Sequence, residues 1–100
     1  MDKEIAWRHE LEKIIKLAAR DQKTLSLFLD DLLSPEELAV LPVRWQIIKR
    51  LWQKQPQHEI AKDLGIGVAT VTRGSKMLKN KNGGFYRILK NSKIQKRVII

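Results

Sequence analysis

The stretch EIAKDLGIGVATVTRGSKML, residues 59–78, decides the fold of this 100-residue chain. Two helical segments meet at a turn that contains Gly65 and Gly67, and two helices joined by a glycine turn of this length are the signature of a helix-turn-helix. Glycine suits the left-handed conformation that often ends a helix. Ala61 is small where the first helix must pass close to the second. We therefore predict a helix-turn-helix over residues 56–80.

Two segments before this motif have apolar residues at helical spacing. Residues 3–20 carry one apolar face, which is typical of an amphipathic helix. Residues 24–33 are denser, because leucine and phenylalanine fill most of their positions. Such a helix needs several neighbours or a partner subunit to cover it. Together with the small size of the chain, this density predicts a homodimer.

A capping box marks the start of the next helix. Ser34 can cap it, Pro35 suits its first position, and Glu37 completes the box. Pro42 lies inside this helix and should bend it or split off its first turn. Further helices follow, the last one after a glycine break, and no segment is a convincing strand. The sequence thus predicts an all-α fold of about six helices in a single domain, residues 1–100.

The positive charge of the chain is concentrated in its second half. Residues 1–50 carry nine Lys or Arg and nine Asp or Glu, whereas residues 51–100 carry eleven Lys or Arg and only two acids. No acid follows Asp63. Such asymmetry favours a polyanionic partner, nucleic acid or an anionic membrane, over a surface charged only for solubility. The helix-turn-helix favours duplex DNA.

The second helix of the predicted motif begins with short side chains and continues with cations. Short side chains let a helix N-terminus approach base edges and thymine methyl groups closely. The alternative is an ordinary helical hairpin in a core, and the depletion of acids disfavours it. The residues assigned to DNA contact are Gln57, His58, Val68, Ala69, Thr70, Thr72, Lys76 and Lys79.

Several classes of protein are disfavoured by the residues present. Without cysteine, disulfides and thiolate metal sites are excluded. The charged N-terminus does not have the pattern of a signal peptide, and no apolar run approaches the roughly 20 residues of a membrane span, so we expect a cytoplasmic protein with no membrane contact. No nucleophile has a visible base, and no phosphate loop or metal-ligand spacing occurs. We therefore expect no enzyme, no catalytic residues, no metal and no resident cofactor.

Residues 31–79 resemble the tryptophan-operon repressor family. The resemblance rests on LLSPEELAVLPVRWQIIKRL followed by HEIAKDLGIGVATVTRGSKMLK, and GIGVATVTRGS is its most specific part. It implies an all-α, intertwined homodimer that binds operator DNA and represses genes of tryptophan biosynthesis or transport. It also implies L-tryptophan as a small-molecule corepressor, bound between the core and the DNA-reading helix.

The same resemblance implies which residues would bind tryptophan. Arg44 and Arg73 would stack on the two faces of the indole, and Arg73 would also pair with the carboxylate, helped by the Ser34 hydroxyl. Gly74 would leave room for the ring. Met77 would lie beside the ammonium group, where the family has a serine, although a thioether is at best a weak acceptor.

Other departures from the family fall in or near both sites. Pro42 and Val43 replace a glycine and a small polar residue, while His58 replaces an arginine and Ala61 a lysine. Two alternatives therefore stay open. One is a related DNA-binding regulator with a different effector or none. The other is a basic helical adaptor, with a basic tail at about 92–100, that binds nucleic acid without sequence preference.

Overall fold

The structure, a computed structural model, describes residues 2–91, and this range is mostly helical without a strand. The predicted all-α class with about six helices is confirmed. The helices are α1 (Lys3–Ala18), α2 (Gln22–Leu32), α3 (Pro35–Trp52), α4 (Gln57–Leu64), α5 (Val68–Lys79) and α6 (Gly84–Lys90). The described residues fall into two compact units, which divide the chain between Ala39 and Val40. The single domain stays a prediction, and the basic tail predicted at 92–100 lies outside the described residues.

Aspartate side chains cap the first two helices. Asp2 Oδ1 accepts a hydrogen bond from the Glu4 N–H at 2.8 Å. Asp21 Oδ2 accepts from the Thr24 hydroxyl at 2.6 Å and from the Thr24 N–H at 3.1 Å. The hydroxyl contact first, and then the backbone contact, hold the pKa of the Asp21 carboxyl below its usual value. This cap explains why α2 begins at Gln22, two residues before the start that apolar spacing predicts.

The apolar residues of α1 and α2 are poorly covered within the first unit. Among the described residues of these helices only Ala18 is buried. The dense apolar segment at 24–33 is at best half-buried. A folded unit rarely leaves so many large apolar side chains of neighbouring helices in water. The exposed ones are Ile5, Trp7, Leu11, Ile14, Ile15, Leu17, Leu27 and Leu32.

The predicted capping box begins α3. Ser34 Oγ accepts a hydrogen bond from the Glu37 N–H at 3.2 Å, and Glu37 Oε1 accepts one from the Ser34 N–H at 2.9 Å. The bond from the Ser34 N–H, reinforced by the Ser34 hydroxyl, holds the pKa of the Glu37 carboxyl below its usual value.

Pro42 does not split α3. The expectation that it would separate the first turn is wrong, because the helix runs unbroken from Pro35 to Trp52. Proline fixes φ near the helical value, and inside a helix it removes one hydrogen bond and crowds the carbonyl of the preceding turn.

The core of the second unit joins three helices. Ile47 of α3, Ile60 and Ala61 of α4 and Val71 of α5 are buried together. Burying one such isoleucine or valine side chain contributes about 1.5–3 kcal/mol. The predicted close approach at Ala61 is confirmed. Partly buried residues pack against this cluster: Val43, Leu51, Leu64 and Ile66.

Left-handed residues end the two helices that precede α5. Gly65 follows α4 with φ 66°, as the glycine turn predicts, and the Ile66 N–H donates to the Ala61 carbonyl at 3.0 Å. Lys54 follows α3 with φ 69° and is the one non-glycine residue of the described chain with a positive φ. This conformation costs a residue with a Cβ about 1 kcal/mol. The two turns fix where α4 begins and ends.

Candidate nucleic-acid interface and effector site

The start of α5 is exposed and has no side-chain cap. The helix follows Gly67, and no side-chain hydrogen bond caps it. Its first three residues, Val68, Ala69 and Thr70, are all exposed. Backbone N–H groups at an uncapped helix start attract anions, because they lack partners and the helix dipole is positive there. The side chains predicted to face base edges therefore lie at the open N-terminus of the second motif helix.

Gln57 and Thr72, both assigned to DNA, contact each other. Thr72 Oγ1 donates a hydrogen bond to Gln57 Oε1 at 2.8 Å, and it lies 3.1 Å from the Val68 carbonyl. Both residues are half-buried. The sequence did not indicate this contact, since the two positions are 15 residues apart and no periodicity links them.

The basic residues of the motif lie on its exposed surface. Arg73, Lys76 and Lys79 of α5 are exposed, and so is His58 at the start of α4. Lys76 and Lys79 occupy the last turn of α5, where positive charge also stabilises the helix.

The two acids of the motif are engaged elsewhere. Asp63 Oδ2 accepts a hydrogen bond from Gln55 Nε2 at 2.8 Å and lies 3.5 Å from an Arg50 guanidinium nitrogen. Glu59 Oε1 accepts from the same Gln55 nitrogen at 3.4 Å. Both carboxylates thus face the loop and helix end before α4. The charge of the α5 cations is not neutralised by contact with them.

A further basic groove lies beside α6. Its volume is about 370 Å³. Lys90 Nζ lies 5.8 Å from the centre of the Tyr86 ring, and that ring meets Trp52 edge to face with 5.8 Å between centres. The positive surface of the second unit therefore extends beyond the motif. The groove is lined by Lys81, Tyr86, Arg87, Lys90 and Asn91.

The residues predicted for tryptophan lie on α3 and α5 and just before α3. Arg44 and Arg73 are both exposed. Met77 is 55% exposed and follows Arg73 by one helical turn, so the two side chains share a face of α5. Ser34 belongs to the first unit, where it caps α3. The ligand roles of these residues stay predictions.

Gly74 faces another helix. A Cβ added there would lie 2.8 Å from Ile47 Cγ2 and 3.5 Å from Ile48 Cδ1. Carbon atoms that are not bonded prefer separations of about 3.5–4.0 Å. The close packing of α5 on α3 is therefore enough to explain why a glycine stands at this position, even if no ligand binds there. Its role in leaving room for an indole ring stays a prediction.

We expect Gly74→Ala to lower the free energy of unfolding by about 1–2 kcal/mol. Overpacking costs about 1–3 kcal/mol, and the better helix propensity of alanine returns up to about 1 kcal/mol. Urea unfolding measures the change. Gly84→Ala in α6 is the matched control, since its added Cβ would meet nothing within 4 Å, and it should be neutral or stabilising. A Gly74→Ala variant as stable as this control would contradict the packing described.

The described residues hold neither a cluster of metal ligands nor a membrane-spanning helix. Within residues 2–91 no three His, Asp or Glu side chains converge as metal ligands. No helix in the same range is long and apolar enough to cross a membrane.

Geometry and similarity together assign the chain to a class. The α4–turn–α5 arrangement, with its buried inner face and exposed second helix, makes it a helix-turn-helix protein. The family model of the Trp repressor protein matches residues 6–93, which extends well beyond the resemblance seen at 31–79. The chain belongs to the Trp repressor family, and the resemblance stated from the sequence is confirmed.

Curated relatives agree with this assignment. A Trp operon repressor homolog of Mannheimia succiniciproducens is 40% identical over 74 residues, which cover 73% of this chain and 71% of the relative. The homolog of Haemophilus influenzae strain PittEE is 35% identical over 79 residues, covering 78% and 77%. The homolog of Actinobacillus succinogenes is 47% identical over 53 residues, or 52% of each chain. The chain is thus a regulator of the Trp repressor type.

Proposed function

We propose that this chain is a transcriptional repressor that binds operator DNA as a homodimer and uses L-tryptophan as its corepressor. The observation that carries the proposal is the exposed, uncapped start of α5 with Val68, Ala69 and Thr70 in its first turn. Short side chains there can approach base edges, and the N–H groups can bind a phosphate. Membership of the Trp repressor family supports duplex DNA as the partner.

The homodimer is supported by the uncovered apolar surface of α1 and α2. Trp7 is 64% exposed, Leu17 57% and Leu27 55%. A second copy is the occupant that the family suggests. Sedimentation at micromolar protein should show twice the 11.7 kDa mass of one chain. A species of 11.7 kDa alone would contradict the dimer.

The corepressor is supported by two exposed guanidinium groups. Arg44 and Arg73 carry planar cations that can stack on an indole and pair with a carboxylate. A corepressor must bind the DNA-competent state better than the other state. One observation favours a second candidate, the same regulator with a different effector, because Met77 places an exposed thioether next to Arg73.

DNA binding by this surface should weaken steeply with salt. Each phosphate neutralised contributes about −0.9 to the slope of log affinity against log salt, because condensed counterions are released. Lys79→Ala should weaken all duplexes alike and reduce the slope by about 0.9 for each motif. Lys16→Ala in α1 is the matched control, since it loses the same charge outside the motif. Equal effects of the two substitutions would contradict the proposed surface.

A further inference from the structure

One side-chain hydrogen bond, between Thr72 and Gln57, joins the two helices of the motif and indicates a specific role for Thr72. Thr72 Oγ1 donates to Gln57 Oε1 at 2.8 Å and is 3.1 Å from the Val68 carbonyl. In the α5 ladder the Val68 carbonyl already accepts the Thr72 backbone N–H. A hydroxyl has a single hydrogen. We therefore assign the hydroxyl hydrogen of Thr72 to Gln57 Oε1, which is the nearer acceptor and does not already accept the Thr72 backbone N–H.

This contact determines which end of the Gln57 amide is engaged within the motif. A primary amide has an acceptor end and a donor end with two N–H groups. When Oε1 is turned toward Thr72, Nε2 points away from the contact. Gln57 is the first residue of α4 and half-buried, so its amide is held at the edge of the motif. The donor end, which this contact does not use, suits acceptors such as a phosphate oxygen, the guanine N7 and O6 atoms, or the adenine N7 atom.

We propose that Thr72 is a positioning residue, which acts on DNA only through Gln57, and that Gln57 donates a hydrogen bond to an acceptor of the duplex. The inference rests on the proposed DNA-binding function. It differs from the sequence-based expectation that Thr72 itself contacts a base edge. Thr72 is half-buried, and its one hydroxyl hydrogen is committed to Gln57, so it cannot donate to a base at the same time.

A double-mutant cycle tests this coupling on a duplex that the parent protein has selected from a random-sequence pool. Gln57→Ala removes the donor, and Thr72→Val removes the hydroxyl while keeping the shape of the side chain. We expect each to weaken binding by about tenfold, the usual order for one lost hydrogen bond to a charged or base acceptor. The double variant should bind as weakly as Gln57→Ala alone, because Thr72 has no other route to DNA.

Two further variants separate positioning from folding. Thr72→Ser keeps the hydroxyl and should restore most of the affinity. Gln57→Glu keeps an acceptor for Thr72 but removes both N–H donors. It should unfold at the same urea concentration as the parent and still lose at least as much DNA affinity as Gln57→Ala.

The outcomes of the cycle are distinguishable. If the losses of Gln57→Ala and Thr72→Val multiply in the double variant, Thr72 acts on DNA independently and the inference is overturned. If Gln57→Glu binds as the parent does, the donor role is overturned. A parent that selects no duplex at all would overturn both the proposed function and this inference.

Discussion

Ala69→Glu should abolish the preference of the protein for its operator, with a loss of about 10³-fold or more in the ratio of specific to non-specific affinity. Ala69 is exposed in the first turn of α5, the turn proposed to approach base edges. A glutamate there is too long for close approach and places a negative charge against the polyanion. The same charge is favourable at a helix N-terminus, so the variant should fold at least as well as the parent. The loss therefore measures recognition rather than stability.

Ala69→Gln and Ala69→Ser are the controls for this prediction. Glutamine has the length of glutamate without its charge, so it isolates the steric part of the effect. Serine stays short and should keep selective binding, with a changed order of preferred sequences. Competition between the selected duplex and random DNA gives the ratio for each variant. An Ala69→Glu protein that still selects the parent's duplex would show that the base-facing surface lies elsewhere.

Saturating L-tryptophan should raise operator affinity by about 5–150-fold, the usual range of coupling between two sites. Arg73→Leu should remove that increase. If Arg73 pairs with the ligand carboxylate and ring, its contribution exists mainly when the ligand is bound. As a plain phosphate contact it would instead matter with and without tryptophan. Operator binding of the parent and of Arg73→Leu, each with and without tryptophan, separates these cases.

Met77→Ser should strengthen tryptophan binding, because a hydroxyl can accept a hydrogen bond from the ligand ammonium where a thioether accepts only weakly. Met77→Leu is the matched control and should leave the affinity unchanged. Titration calorimetry measures both. A parent that does not respond to tryptophan, together with an unchanged Met77→Ser variant, would favour the second candidate, a regulator with a different effector.

Most of the fold could be predicted from features that involve only residues close together in the sequence. The capping box at Ser34 and Glu37 forms as predicted, because all of its partners lie within four consecutive residues. Gly65 adopts the predicted left-handed conformation because that conformation depends only on the glycine itself and on the end of the helix before it. The expectation that Pro42 would split off the first turn of α3 was wrong, since propensity describes the cost at one position and not the rest of the helix around it.

Contacts between distant positions could not be predicted. The hydrogen bond between Thr72 and Gln57 and the approach of Gly74 to Ile47 depend on how α5 packs on α4 and α3. The glycine was identified from its place in a family motif, yet its close packing on α3 is a matter of helix geometry. The exposed start of α5 was predictable, because short residues after a glycine turn indicate it directly.

Selection of duplexes from a random-sequence pool by the purified protein, in the presence of L-tryptophan, tests the proposed repressor most directly. We expect one near-palindromic sequence to be recovered, with half-sites about one helical turn apart, roughly 34–36 Å. Its affinity should exceed that for random DNA by at least about 10³-fold at physiological salt. Binding that is strong and salt-dependent but equal for every duplex would identify a basic adaptor and contradict a sequence-specific repressor.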